Sequence, residues 1–169
     1  MSNEVKQYNV LFLCTGNSAR SIMAEALLNQ RGRGTFTAFS AGSHPSGKVR
    51  PEALEQLRVC NIPTDGLRSK SWDEFAEFAE PGTPQMDFIF TVCDNAANEV
   101  CPLWPGHPIT AHWGVPDPAA AQGTPEQTAR AYRDAFSLLD HRIRLFVSLP
   151  LATLDTMATR QEIDRIGHA

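Results

Sequence analysis

The sequence predicts an α/β domain organised around a parallel sheet. Two short apolar stretches, Tyr8 to Leu13 and Met86 to Val92, lack polar alternation and read as strands buried on both faces. Segments of helical periodicity lie between and after them. Cys14 and Cys93 each follow one of these stretches directly, at the edge of a parallel sheet where ligands bind.

Along the chain, the first strand is followed by a helix over residues 18–31, with Met23, Ala26, Leu27 and Gln30 at helical spacing. Phe36 to Ala41 reads as a second strand. Pro51 suits the first turn of a helix that carries Leu54 and Leu57 inward and stops near Pro63. Ser71 to Glu74 has the form of a capping box, which predicts a short helix there. After the strand at 86–92, Pro108 to His112 reads as a fourth strand, since Pro is permitted at a strand's first residue. Thr124-Pro125-Glu126-Gln127 combines an N-cap, a Pro at the first helical position and a Gln that reaches back. Ala129, Tyr132, Phe136, Leu139, Ile143 and Phe146 then recur at steps of three and four, the strongest helical signal in the chain. A last helix is expected over residues 152–166.

Length and composition narrow the class. A chain of 169 residues, 42% hydrophobic, can bury its own core. Residues 1–169 read as one domain, with 150–169 a C-terminal helical extension. The net charge of -4 provides no basic field for nucleic acid, so any anion site is local. No run reaches transmembrane length, and the first residues lack the regions of a signal peptide. A cytoplasmic location with no membrane partner is therefore expected. In a reducing cytosol the four cysteines, Cys14, Cys60, Cys93 and Cys101, are expected to be free, catalytic or redox-active, and their spacing fits no CxxC zinc site. Cys60 reads as a core residue.

The segment after the first strand is Cys14-Thr15-Gly16-Asn17-Ser18-Ala19-Arg20-Ser21. Cysteine and arginine at this spacing are weak evidence alone, but the context strengthens them. The cysteine ends a buried strand, small residues follow, and the loop opens a helix. Such a loop can turn successive N–H groups inward as an anion nest, aided by the helix N-terminus. Arg20 adds a planar fork that matches two oxygens of a tetrahedral anion. These groups are expected to lower the Cys14 pKa and favour its thiolate. Ser21 is placed to donate to that thiolate, and Asn17 tolerates a left-handed turn.

Val10 to Ser21 closely resembles the nucleophile loop of low-molecular-weight tyrosine phosphatases, and more closely still that of the related arsenate reductases. The likeness continues at Ser40-Ala41-Gly42, Leu67 to Trp72, Thr91-Val92-Cys93-Asp94 and His112-Trp113-Gly114-Val115-Pro116-Asp117-Pro118. It reaches to about residue 149 with the motifs in the family's order. The resemblance implies a three-layer fold, a four-stranded parallel sheet in the order 2-1-3-4 with helices on both faces. It also implies Asp117 as general acid, although an Asp before Pro reads equally as a turn residue.

Within that family the sequence favours an arsenate reductase. Cys93 and Cys101 stand where the reductases carry a resolving cysteine pair, and His112-Trp113-Gly114 resembles their pattern. Phosphatases usually follow Asp-Pro with an aromatic residue, where this chain has Ala119, Ala120 and Ala121. The expected chemistry is attack by Cys14 on arsenate, then resolution by a second thiol. The alternative is a tyrosine phosphatase working through phosphocysteine. Ala19 stands where many relatives carry a second loop cysteine, which leaves the reductant open among glutathione with glutaredoxin, mycothiol and thioredoxin. The expected partners are arsenate or phosphate and a thiol or redoxin, with no bound cofactor. A monomer is expected, and a dimer through the tail stays open. Some relatives bind potassium beside the nucleophile loop, and by position Asn17, Glu25 and Ser40 are candidates to help form such a site. Here Asn17 reads as a loop stiffener and Glu25 as solvent-facing, so no metal is expected. His112 reads as structural.

Overall fold

The computed structural model describes residues 6–76, 80–99, 104–121 and 123–169. Strand β1 (Tyr8–Cys14) leads through the loop into helix α1 (Arg20–Arg31), then β2 (Phe36–Gly42) and α2 (Pro51–Val59). A one-turn 3-10 helix (Trp72–Phe75) precedes β3 (Phe88–Thr91), α3 (Asp94–Asn98) and β4 (Ile109–His112). A second short 3-10 turn (Pro118–Ala120) precedes α4 (Pro125–Val147) and α5 (Thr156–Ile166). The sheet is parallel throughout, in the order β2-β1-β3-β4. Its carboxyl ends, at Cys14, Gly42, Thr91 and His112, therefore share one edge, and the loops that follow meet there.

Alternation along β1 divides the core. Val10, Phe12 and Cys14 point into the larger cluster, while Leu11 and Leu13 point into the smaller one on the opposite face. Helices α1, α2, α4 and α5 contribute Met23, Leu27, Leu57, Phe136, Leu139, Ile143, Phe146 and Ile163 to the larger cluster. The rings of Phe90 and Trp113 stack in its centre with centroids 4.0 Å apart. The smaller face is covered by Phe75 and Met86, with Trp72 and Trp104 packed at its edge.

Several local expectations shift. The helix from Pro51 buries Ala53 and Leu57, whereas Leu54 is only half-buried. Ser71 accepts from the Asp73 N–H, but Glu74 turns outward to a fork with Arg68, so the box is half made and the turn is 3-10. The box at Thr124 and Gln127 is complete. Cys60 is not in the core: it caps α2 and is exposed. Phe75 is buried, and Phe78 lies outside the described residues. The tail packs on the domain, where Ile163 and Ile166 are buried and the Trp113 indole donates to the Ile163 carbonyl at 2.9 Å. Among the described residues, no helix is long and apolar enough to cross a membrane.

Candidate active site

The loop after β1 is held by its carbonyl groups. Those of Thr15, Gly16 and Ser18 accept from the backbone N–H groups of His44, Ser46 and Arg50 at 2.9–3.0 Å. A trans peptide points its C=O and N–H in opposite directions. With these oxygens tied to the outer segment, the N–H groups of Gly16, Asn17 and Ala19 turn toward the inside, as an anion nest requires. The Gly16 N–H reaches the Cys14 sulfur. At the N-terminus of α1 the N-cap is Ala19, which supplies no side-chain cap, so the first-turn N–H groups are left for another acceptor. Cys14, Ala19 and Ser21 are buried, while Thr15, Gly16, Ser18 and Arg20 are half-buried.

Behind the loop is a buried polar network. Asn17, fully buried, takes φ 45, the left-handed turn expected of it. Its amide donates to Ser21 Oγ and Ser40 Oγ at 2.8 and 3.0 Å, and its oxygen accepts from the Lys70 N–H at 2.9 Å. Ser21 thus faces Asn17. Ser40 donates to Glu25, whose carboxylate also lies 3.7 Å from the Lys70 ammonium. Glu25 therefore does not face solvent. Burial raises its pKa against the pull of Ser40 and Lys70, and burial lowers that of Lys70. The Lys70 ammonium supplies the positive charge this carboxylate needs. Gly42 closes the network from β2, since a Cβ there would be driven into the carbonyl oxygen of Thr15.

Cys93 sits against Cys14, so the segment after β3 need not move to bring them together. The Cys93 sulfur accepts the Thr15 N–H at 3.3 Å and, as the N-cap of α3, the Ala96 N–H at 3.4 Å. The two thiols hydrogen-bond each other and share one proton. The Cys14 S–H, followed by the surrounding N–H donors against the cost of burial, holds Cys93 at about 5. Cys14 is pushed up, first by that same bond and then by burial, against the Arg20 charge and the Gly16 N–H. The expected lowering at Cys14 is therefore reversed: the neighbouring thiol and burial outweigh Arg20 and the loop N–H, and it is Cys93 whose pKa is lowered. Cys101 lies outside the described residues.

Arg20 links the loop to the acid. Its guanidinium donates to the Val115 carbonyl at 2.9 Å and lies 3.7 Å from Asp117 Oδ1. Asp117 also accepts from the Ala119 N–H at 2.9 Å, capping the short 3-10 turn. Its side chain is 46% exposed.

Cys14, Arg20, Asp117 and Cys93 thus converge at one end of the sheet. The profile of the low molecular weight phosphotyrosine protein phosphatases matches residues 9–158. The chain belongs to this family. Among its relatives, an arsenate reductase of Oceanobacillus iheyensis is 33% identical over 137 residues, 81% of this chain and 93% of that one. An arsenate reductase of Bacillus subtilis is 32% identical over the same shares. The solved arsenate reductase of Archaeoglobus fulgidus superposes with a TM-score of 0.63 at 26% identity, covering 83% of this chain and 99% of that one.

For a member of this phosphatase family, three side chains at the site went unsingled in the sequence. Glu99 accepts from the Thr15 hydroxyl at 2.8 Å and lies 3.7 Å from His44, tying the end of the α3 segment to the loop. Nothing in the local pattern marks it. Arg142 is buried and donates to the Gly114 carbonyl at 2.9 Å, which steadies the stretch leading to Asp117. Its signal was present: an arginine three residues after Leu139, on the apolar stripe of α4. Lys70 lies inside a family motif, but its pairing with Glu25 depends on two loops meeting.

Proposed function

We propose that this chain reduces arsenate to arsenite with Cys14 as nucleophile and Cys93 as resolving thiol. The observation that carries the reading is the contact between the Cys14 and Cys93 sulfurs beside an anion nest. A phosphatase of this family needs the nest, the arginine and the acid, but no second thiol against the first. The arsenate reductases at 32–33% identity support the same choice.

Arsenate docks on the loop N–H groups and the Arg20 fork. As it docks, the shared proton passes from Cys14 to Cys93. The Cys14 thiolate bonds to arsenic, and an As–OH group leaves as water with a proton from Asp117. Cys93, losing its proton to solvent, then attacks the Cys14 sulfur. The S–As bond breaks and its electron pair stays on arsenic, which falls from As(V) to As(III). Arsenite leaves, and two thiols have become one disulfide, which balances the two electrons. Cys101 or an external thiol, low-molecular-weight or carried by a redoxin, reopens the disulfide. If Cys101 attacks, the disulfide is only passed on, so in either case two electrons from external thiols close the cycle.

The test is arsenite production by the full-length protein with glutathione and glutaredoxin, mycothiol or thioredoxin as donor. Turnover with at least one donor is expected, lost in Cys93→Ser. No arsenite with any donor, alongside aryl phosphate hydrolysis that Cys93→Ser leaves intact, would overturn the reading in favour of a phosphatase.

A further inference from the structure

Cys93 opens a short helix, and three side-chain ties of this segment can be traced among the described residues. Helix α3 is five residues long and overlies an apolar cleft of about 420 Å³ lined by Leu13, Ile89, Ala96, Ala97 and Trp104. Two of its polar ties run through groups at the reacting site, the Cys93 sulfur and the Glu99–Thr15 bond. A third does not. His112, the last residue of β4, places Nε2 2.9 Å from Asp94 Oδ1 and Nδ1 2.7 Å from Thr91 Oγ1.

The direction of this chain of hydrogen bonds follows from its ends. An ionised carboxylate only accepts, so Nε2 is the donor to Asp94, and in the tautomer that carries this single proton Nδ1 accepts from the Thr91 hydroxyl. The ring hangs from a fixed backbone. Trp113 N–H donates to the Thr91 carbonyl at 2.7 Å, the Trp113 indole is bound to α5, and Arg142 holds the Gly114 carbonyl. Room for the pair is made by Gly114, where a Cβ would lie 2.8 Å from His112 Nε2 and 3.1 Å from Asp94 Oδ1. Asp94 is the neighbour of Cys93, so fixing one limits where the other goes.

We propose that His112 is a positioning residue that anchors Asp94 and thereby holds the Cys93 sulfur against Cys14. The inference rests on the reading of Cys93 as the resolving thiol. Its role is to shorten the search of one sulfur for the other, while arsenate binding is left to the loop. Asp94 is largely exposed, and exposed pairs of this kind are modest, so the effect is about two- to fivefold in rate.

The experiment compares His112→Ala, His112→Asn and His112→Gln. Glutamine places a donor near the position of Nε2 and reaches Asp94; asparagine mimics only Nδ1. The first readout is the rate of disulfide closure between residues 14 and 93 after a pulse of hydrogen peroxide, mapped by mass spectrometry, which needs no arsenate. Peroxide oxidises the thiolate of the pair, Cys93, to the sulfenic acid, and Cys14 displaces water from it. The Ala and Asn variants are expected to close about two- to fivefold more slowly and Gln near the wild-type rate. Asp94→Ala matches His112→Ala, and the double variant is no slower than either. The second readout is arsenate turnover, where kcat falls by the same factor and KM for arsenate holds. Equal rates for Asn and Gln, or no loss in Asp94→Ala, would overturn the anchor even if His112→Ala fails to fold. A wild-type protein that closes the disulfide but never reduces arsenate would instead defeat the proposed function and leave the anchor standing.

Discussion

The two walls of this site are built differently. The loop of Cys14 to Ser21 is backed by a largely buried network in which Asn17, Ser21, Ser40, Glu25 and Lys70 hydrogen-bond or pair with one another. The arm from Cys93 to Glu99 is a single short helix held by a sulfur cap, the buried Ala96, a part-buried Glu99–Thr15 bond and the exposed His112–Asp94 pair. Binding a tetrahedral anion rewards donors that do not reorganise. Moving electrons between thiols requires a sulfur that can change partners. Rigidity and looseness are thus assigned to the walls that need them.

Breaking the loose wall gives the largest effect. Cys93→Ser is expected to lower arsenite formation by about 10³-fold or more, since no neighbouring thiolate remains. Phosphate affinity, read by competition, stays near wild type. Breaking the rigid wall at its charged tip comes next. Arg20→Lys replaces a fork with a point charge, and anion affinity is expected to fall about 10²-fold, while thiol–disulfide exchange between residues 14 and 93 continues.

Deeper in the rigid wall, Lys70→Met leaves the Glu25 carboxylate without its cation and is expected to cost about 2–3 kcal/mol in urea denaturation. The sign with pH follows from Glu25, whose folded pKa is raised. A group that binds its proton more tightly when folded favours the fold below its unfolded pKa and loses that contribution as pH rises. The cost of Lys70→Met is therefore small near pH 4 and full near pH 8. An equal cost at both would show that the pair is not the mechanism.

The sulfur pair sharpens the comparison further. Thiolate absorbance at 240 nm is expected to appear as pH rises through about 5, from Cys93. Cys14→Ala removes the S–H donor and is expected to raise that midpoint by at least about one unit, toward the ordinary thiol value. The smallest effect is at the far end of the arm. Glu99→Gln keeps a hydrogen-bond acceptor for Thr15 but loses the charge beside His44, and is expected to change stability by about 0.5 kcal/mol.

What could be read in advance divides along the same line. The strands, the loop and the long helix were legible because each is encoded locally: unbroken apolar runs, a small-residue turn, a capped amphipathic stripe. Asn17's left-handed turn followed from residue type alone. Helix α3 was not legible, because its cap is a cysteine sulfur also bound by Thr15 from another element. Cys60 was misread because burial was inferred from residue type, while its place at the exposed cap of α2 was set by where that helix ends. The raised pKa of Cys14 was not legible because a loop sequence shows the donors around Cys14 but not the second thiol across from it. Glu25 turned inward for a similar reason: Lys70, its partner, arrives from a loop far along the chain.

The missing side chain at Gly42 has a consequence for redesign. Strand β2 meets the loop there with backbone on backbone and nothing compressible between. The ring has no slack at its rear, so variants cannot widen it for bulkier ligands from behind. Selection for a new specificity would have to work from the outer side of the loop, where the exposed His44 can be exchanged without removing Arg20 or Asp117.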